Sequence, residues 1–169
     1  MALQSSGAIS LNDIHVEAGG TSGSNASIND ADIRALINKA SGATMSFSEW
    51  YGASATWTST MTVGNQMIAK IQNYGYLVSI IHNYGSLSDT TIDTFGNRTI
   101  TGFYWNSLNN LILNITNGPN SGWTSIKVNN TTFNRTAATF GNGSWVWSNT
   151  TSNPFGATVG ATRTITFVI

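Results

Sequence analysis

Cysteine is absent from this 169-residue chain. That excludes disulfides, thiolate metal sites and thiol nucleophiles, so stability has to come from the core or from oligomerisation. Charge is also scarce. Asp, Glu, Lys and Arg together make up 8% of the residues, against about 25% in a typical soluble protein. Solubility therefore rests on uncharged Thr, Asn and Ser. Nucleic-acid binding is excluded, because it needs clustered Lys and Arg to displace counterions. No apolar run approaches the roughly 20 residues that span a bilayer, so no membrane partner is expected. Met1 to Ser5 has neither the charged nor the apolar region of a secretory signal. The expectation is synthesis in the cytosol and a chain that stays soluble or joins an assembly without crossing a membrane.

Chemistry-bearing residues are few. The only histidines are His15 and His82. Beyond residue 52 the only carboxylates are Asp89 and Asp93, too few for a glycosidase pair flanking a cleft or for an oxygen-rich calcium site. Ser86 or Ser88 with His82 and Asp89 would make a cramped triad within eight residues, which is no known arrangement. The expectation is no enzyme, no metal and no cofactor. Gly20-Thr21-Ser22-Gly23-Ser24-Asn25 lacks the Gly-Lys-Ser/Thr ending of a phosphate loop and reads as a linker.

What remains divides unevenly. Hydrophobic residues make up 40%, enough for a real core. Asp13, Glu17, Asp30, Asp32 and Glu49 lie in the first fifty residues, whereas Lys70, Arg98, Lys127, Arg135 and Arg163 lie singly in the rest. The chain reads as a helical head over 1–54 and a β body over 55–169.

Three helix starts mark the head. Ser10 caps Leu11 to Ala18, with Asp13 at the third position and Gly19-Gly20 as the stop. Ser27 caps a second helix bearing Ile33, Leu36 and Ile37, in which Arg34 pairs with Asp30. Ser46-Phe47-Ser48-Glu49 is a capping box leading into Trp50 and Tyr51. Helices this short need tertiary contacts, so the head is expected to pack on the body or on another protein.

Beyond residue 53 the helical period gives way to alternation rich in Thr and aromatic residues. Strands are expected at 57–63, 66–71, 76–81, 98–105, 111–115, 123–128, 131–136, 144–147 and 162–169. Asn73-Tyr74-Gly75 and Asn83-Tyr84-Gly85 are read as turns. The segment 117–122 is the strongest loop signal, and Thr-Phe-Gly-Asn recurs at 94–97 and 139–142. The predicted fold is mainly β, an antiparallel β-sandwich or compact barrel preceded by a small helical module. The last strand pairs within its own sheet in the preferred arrangement and with a neighbouring subunit in the other. Trp145 and Trp147 share one strand face. They could stack on a sugar ring, though large rings on one face more commonly fill a sandwich core.

Ser6-Gly7-Ala8-Ile9-Ser10-Leu11-Asn12-Asp13-Ile14, followed by Ser46-Phe47-Ser48-Glu49-Trp50-Tyr51-Gly52, resembles an N-terminal module of tailed-bacteriophage structural proteins. The body resembles, in composition, the Thr/Asn/Gly-rich β domains of phage fibres and decoration proteins. The resemblance implies a non-enzymatic virion component, assembled in the host cytoplasm and docked as a tail or neck appendage (a fibre or fibre anchor). Its partners would be other virion proteins and further copies of itself. Ile9, Leu11, Ile14, Phe47, Trp50 and Tyr51 are the docking residues expected in that case. A capsid decoration protein is the alternative within virions. A carbohydrate-binding host-receptor module is the alternative of another class, with Trp145 and Trp147 touching a host surface glycan.

Overall fold

A computed structural model of the chain describes residues 2–37, 39–92, 98–116 and 123–168. The repeat at 94–97, Asp93 and the 117–122 loop lie outside the described residues, as does Ile169.

The head contains α1 (Leu11–Glu17), α2 (Ala31–Ala35) and a 3₁₀ turn at Phe47–Trp50. Its caps are local. The Ser10 hydroxyl accepts from Asp13 N–H at 3.1 Å, and the Asp13 carboxylate accepts from Ser10 N–H at 2.9 Å. The second helix starts later than expected. Ser27 opens a turn instead, with Asp30 N–H donating to its carbonyl, and Asp30 is the residue that precedes the helix. The Asp30 carboxylate turns back to Ser27 N–H at 2.8 Å, so Arg34 donates to Asn29 Oδ1 and not to Asp30.

The body is built from thirteen strands among the described residues: β1 (Thr56–Thr62), β2 (Gly64–Ile68), β3 (Ile71–Val78), β4 (Asn83–Tyr84), β5 (Ser86–Leu87), β6 (Thr91–Ile92), β7 (Arg98–Asn106), β8 (Asn110–Ile115), β9 (Ser125–Val128), β10 (Thr131–Asn134), β11 (Thr139–Gly141), β12 (Ser144–Trp147) and β13 (Thr162–Val168). One antiparallel sheet runs β10-β9-β13-β1-β5. The other runs β11-β12-β8-β7-β3-β2, with β4 on β3 and β6 on β7. The result is the sandwich-like member of the two predicted architectures. The last strand is paired on both sides within its own chain, by β1 and β9.

Alternation sets the two faces. In β1, Trp57, Ser59 and Met61 point inward, and in β13 Ile165 and Phe167 do; the register sets Trp57 against Phe167 and Ser59 against Ile165. From the other sheet, Phe103, Leu113 and Trp145 lie side by side across β7, β8 and β12 on the inner face. Trp123 joins the layers. Its ring lies 4.9 Å from Phe167 and meets Trp145 edge-on at 5.4 Å.

Two expected turns are corrected. Asn73-Tyr74-Gly75 lies inside β3, and the actual turn is Ala69-Lys70, both at positive φ. Asn73 stays in the strand because its side-chain amide bonds the Ile71 and Gln66 carbonyls. Gly75 is needed there for close approach, since a Cβ would sit 2.5 Å from the Phe103 carbonyl oxygen. The strand expected at 76–81 stops at Val78, where a loop at Ile80-Ile81 returns the chain as β4. Asn83-Tyr84-Gly85 is likewise no simple turn. Gly85 passes the chain from β4 in one sheet to β5 in the other and crosses Gly64 as it does so.

A Cβ at position 64 would meet the Gly85 backbone nitrogen at 2.0 Å, a backbone contact that no rotamer relieves. Gly64→Ala is expected to destabilise the body by ~3 kcal/mol or more, at the upper end of overpacking costs. A urea midpoint unchanged from wild type would refute this crossing.

Candidate functional site

Most buried apolar side chains among the described residues fall into two clusters. The larger one fills the sandwich. The other belongs to the head: Ile14, Ile33, Leu36, Trp50 and Ala53 are buried, with Leu3, Ile9, Leu11 and Met45 among those packed around them. Trp50 is its centre, fully buried, with its indole N–H donating to the Ile33 carbonyl at 3.1 Å. The head thus satisfies part of its own apolar demand, which the length of its helices did not suggest.

That fact sorts the expected docking residues. Ile14 and Trp50 are enclosed in the head's own core, so neither is available to a partner; both spacing and aromatic content mark core here. Leu11 and Ile9 are partly buried against the same cluster. Phe47 and Tyr51 remain exposed, at 45% and 38%. Phe47 leans on Trp50 with ring centres 6.1 Å apart, and the Tyr51 hydroxyl donates to the Gly7 carbonyl. Trp145 and Trp147 are corrected as glycan contacts. Both are buried, Trp145 against Trp123 and Phe140, and Trp147 with its N–H on the Asn134 carbonyl at 2.7 Å. No ring face is left for a sugar.

The open feature of the head is a groove of about 470 Å³ between the N-terminal segment and α1. Leu3, Ile9 and Val16 supply its apolar surface, and Asn12, Asp13 and Glu17 its polar rim. Leu3 and Val16 were not singled out from the sequence. Val16 lies off the Leu11-Ile14-Ala18 stripe, and an apolar residue off the stripe was the available signal. The far wall is tied down by α1 itself: the Asn12 side chain accepts from Gly23 N–H at 2.8 Å, and His15 Nε2 contacts Ser24 Oγ at 2.9 Å. Glu17 holds the junction with the body, accepting from Ala55 N–H at 3.0 Å and the Ser54 hydroxyl at 3.2 Å.

The imagined triad does not assemble. The Asp89 carboxylate receives Trp57 N–H at 3.2 Å and Thr91 N–H at 2.9 Å. Ser88 is engaged by Ser59 and Thr60, and His82 sits in the β3–β4 loop with Ser79. Among the described residues no group of three His, Asp or Glu side chains could hold a metal ion, and no helix is long and apolar enough to cross a membrane.

No family model matches the chain, and neither a curated protein nor a solved structure is found to match it.

Two substitutions separate core from surface in the head. Trp50→Ala is expected to cost ~3–5 kcal/mol, as for buried aromatic truncations. Phe47→Ser should stay within about 0.5 kcal/mol, as at exposed sites. Loss of NMR dispersion in the head amides for Phe47→Ser, or its retention for Trp50→Ala, would reverse the assignment.

Acid sensitivity follows from the caps. Lys39 beside Glu49, then the Ser46 backbone N–H, hold the Glu49 carboxyl below its usual range, and the Ser10 hydroxyl and N–H do the same for Asp13. Because both folded-state values are depressed, their stabilisation is present at neutral pH and is lost as pH falls through the depressed values. The folded head signals are expected to weaken on acid titration, and Glu49→Gln should flatten that dependence. An identical acid profile for the variant would rule the linkage out.

Proposed function

We propose that this chain is a non-enzymatic structural component of a tailed-phage particle, docked through its N-terminal module as a tail or neck appendage and present as a homo-oligomer. The observation that carries the reading is the head: a self-cored module that keeps Phe47, Tyr51 and the Leu3-Ile9-Val16 groove open to a partner. Its cap residues, Ser10 with Asp13 and Ser46 with Glu49, are the same residues that carry the resemblance to phage virion modules. Support for a structural role also comes from the body, where Asp89 and Ser88 are committed to holding strands together. A capsid decoration protein shares every one of these features and differs in position on the particle. The glycan-receptor reading loses Trp145 and Trp147 to the core.

Location decides between them. Labelling of the protein in intact particles is expected to mark a small symmetric set of copies at the tail or neck, and Val16→Asp with Tyr51→Ser should deplete the protein from particles without unfolding it. Coverage of the whole shell would make it a decoration protein, and absence from particles would end the virion reading.

A further inference from the structure

The outward face of the larger sheet carries a row of amides. The pairing registers set Gln66 against Asn73, Asn73 against Asn106 and Asn106 against Asn110, so four amide side chains run across β2, β3, β7 and β8. They face away from the sandwich, because their strand neighbours Tyr74, Trp105 and Leu111 pack in its core. In the next row Gly75 lies beside Tyr104, and in the one after it Leu77, Gly102 and Asn114 follow one another. Asn and Gly are poor strand residues. The smaller sheet shows the ordinary solution, with Thr58, Thr60, Thr164 and Thr166 at its outward positions. Residues that break local preference on one face of one sheet mark a surface with a task.

That face holds hydrogen-bonding capacity that the fold does not use. Gln66 Oε1, Asn114 Oδ1 and the Tyr84 hydroxyl are closed off from solvent and have no partner in the protein. Tyr84 as a whole is 7% exposed. Buried polar groups are rarely left this way. Asn106 Oδ1 accepts from Leu108 N–H at 3.1 Å and Asn110 N–H at 3.2 Å, so its amide nitrogen remains for a ligand. Asn73 donates to the Ile71 and Gln66 carbonyls, so its oxygen remains. Against the row lies a cleft of about 160 Å³, walled by Ile68, Ile71 and the Tyr104 ring on its apolar side and by Asn73 and Asn106 on its polar side.

We infer that this face binds a neutral glycan, with one sugar ring seated in the cleft. A sugar ring has an apolar C–H face and a rim of hydroxyls that both donate and accept. Ile71 and the Tyr104 ring suit the first, and the amides of Asn73 and Asn106, which offer donor and acceptor on one planar group, suit the second. Burial holds the Tyr84 and Tyr104 hydroxyls above the usual tyrosine range, so both stay protonated and able to donate. Other occupants fit less well. An apolar partner would bury the amide row without pairing it. An acidic glycan or a nucleic acid calls for cations, and the described strands of this sheet hold a single charged residue, Arg98, at the opposite end of β7 from Asn106. The site lies on the body, apart from the head groove, and does not depend on the virion reading, so either can fail alone.

Binding of the purified full chain to an array of neutral and acidic oligosaccharides tests it, with NMR mapping by free glucose, galactose and mannose. Neutral glycans are expected to bind, and the sugar to shift the backbone amides of Gln66, Asn73, Tyr104 and Asn106. Gln66→Ala with Asn110→Ala, which removes two amides of the row and no core side chain, is expected to weaken binding about tenfold or more at an unchanged melting temperature. Thr58→Ala on the opposite sheet should leave binding as it is. An array with no neutral glycan bound, and no shifts with the three sugars, overturns the inference. Binding of acidic glycans alone overturns the ligand class. Shifts confined to another surface, or undiminished binding by the double variant, overturn the site.

Discussion

The body depends on Trp123. Its ring is 1% exposed and spans the space between the sheets, tilted by 32° against Phe167 from one and edge-on to Trp145 and Trp147 from the other. With no cysteine to form a disulfide and only 8% charged residues, interdigitated rings hold the two sheets at a fixed separation. Three other tryptophans extend this arrangement outward: the indole N–H of Trp57 donates to the Asp89 carboxylate, that of Trp105 to the Thr150 carbonyl and that of Trp147 to the Asn134 carbonyl, so each ring packs on the core while its N–H pins another segment to it.

The head is held by a different balance. Its helices are too short to persist by themselves; a reciprocal cap at Ser10–Asp13 and the Glu49 carboxylate on Ser46 N–H satisfy N–H groups at their starts locally. Trp50 then supplies the single large ring around which Ile14, Ile33 and Leu36 gather. Because the cluster is small, the side chains at its margin stay partly exposed, and this is why a module of this size presents a groove at all. The same economy that limits its stability leaves apolar surface exposed.

Legibility varied with the range of the cause. The caps of α1 and the 3₁₀ turn, the strand expected at 98–105 and the outline of the sheets are written in adjacent residues and were readable. The turns of β2, β3 and β4 were not. Ala69-Lys70 and Ile80-Ile81 carry no turn residues, while Asn73-Tyr74-Gly75, which looks like a turn, is strand because Phe103 comes close on one side and the Asn73 amide donates to the Gln66 carbonyl of β2 on the other. Among the site residues, Phe47 and Tyr51 stayed exposed as docking would require, but Ile14, Trp50, Trp145 and Trp147 went inside. An aromatic residue on a periodic face is equally consistent with a core and an interface until its neighbours are placed.

Composition and short-range pattern determined the fold class of this protein: the absence of cysteine ruled out disulfides and thiol chemistry, helix caps set a small helical head, and alternation set an antiparallel β body. Those features depend on residues within a few positions of each other, where sterics and hydrogen bonding act without the rest of the fold. Tertiary structure decided which apolar residues are consumed by the core and which are left over. That outcome depends on contacts between distant segments, such as Leu3 with Val16 in the groove, Gly64 with Gly85 at the crossing and Trp123 with Phe167 between the sheets. Burial is a property of the assembled layers, and no local signal carries it.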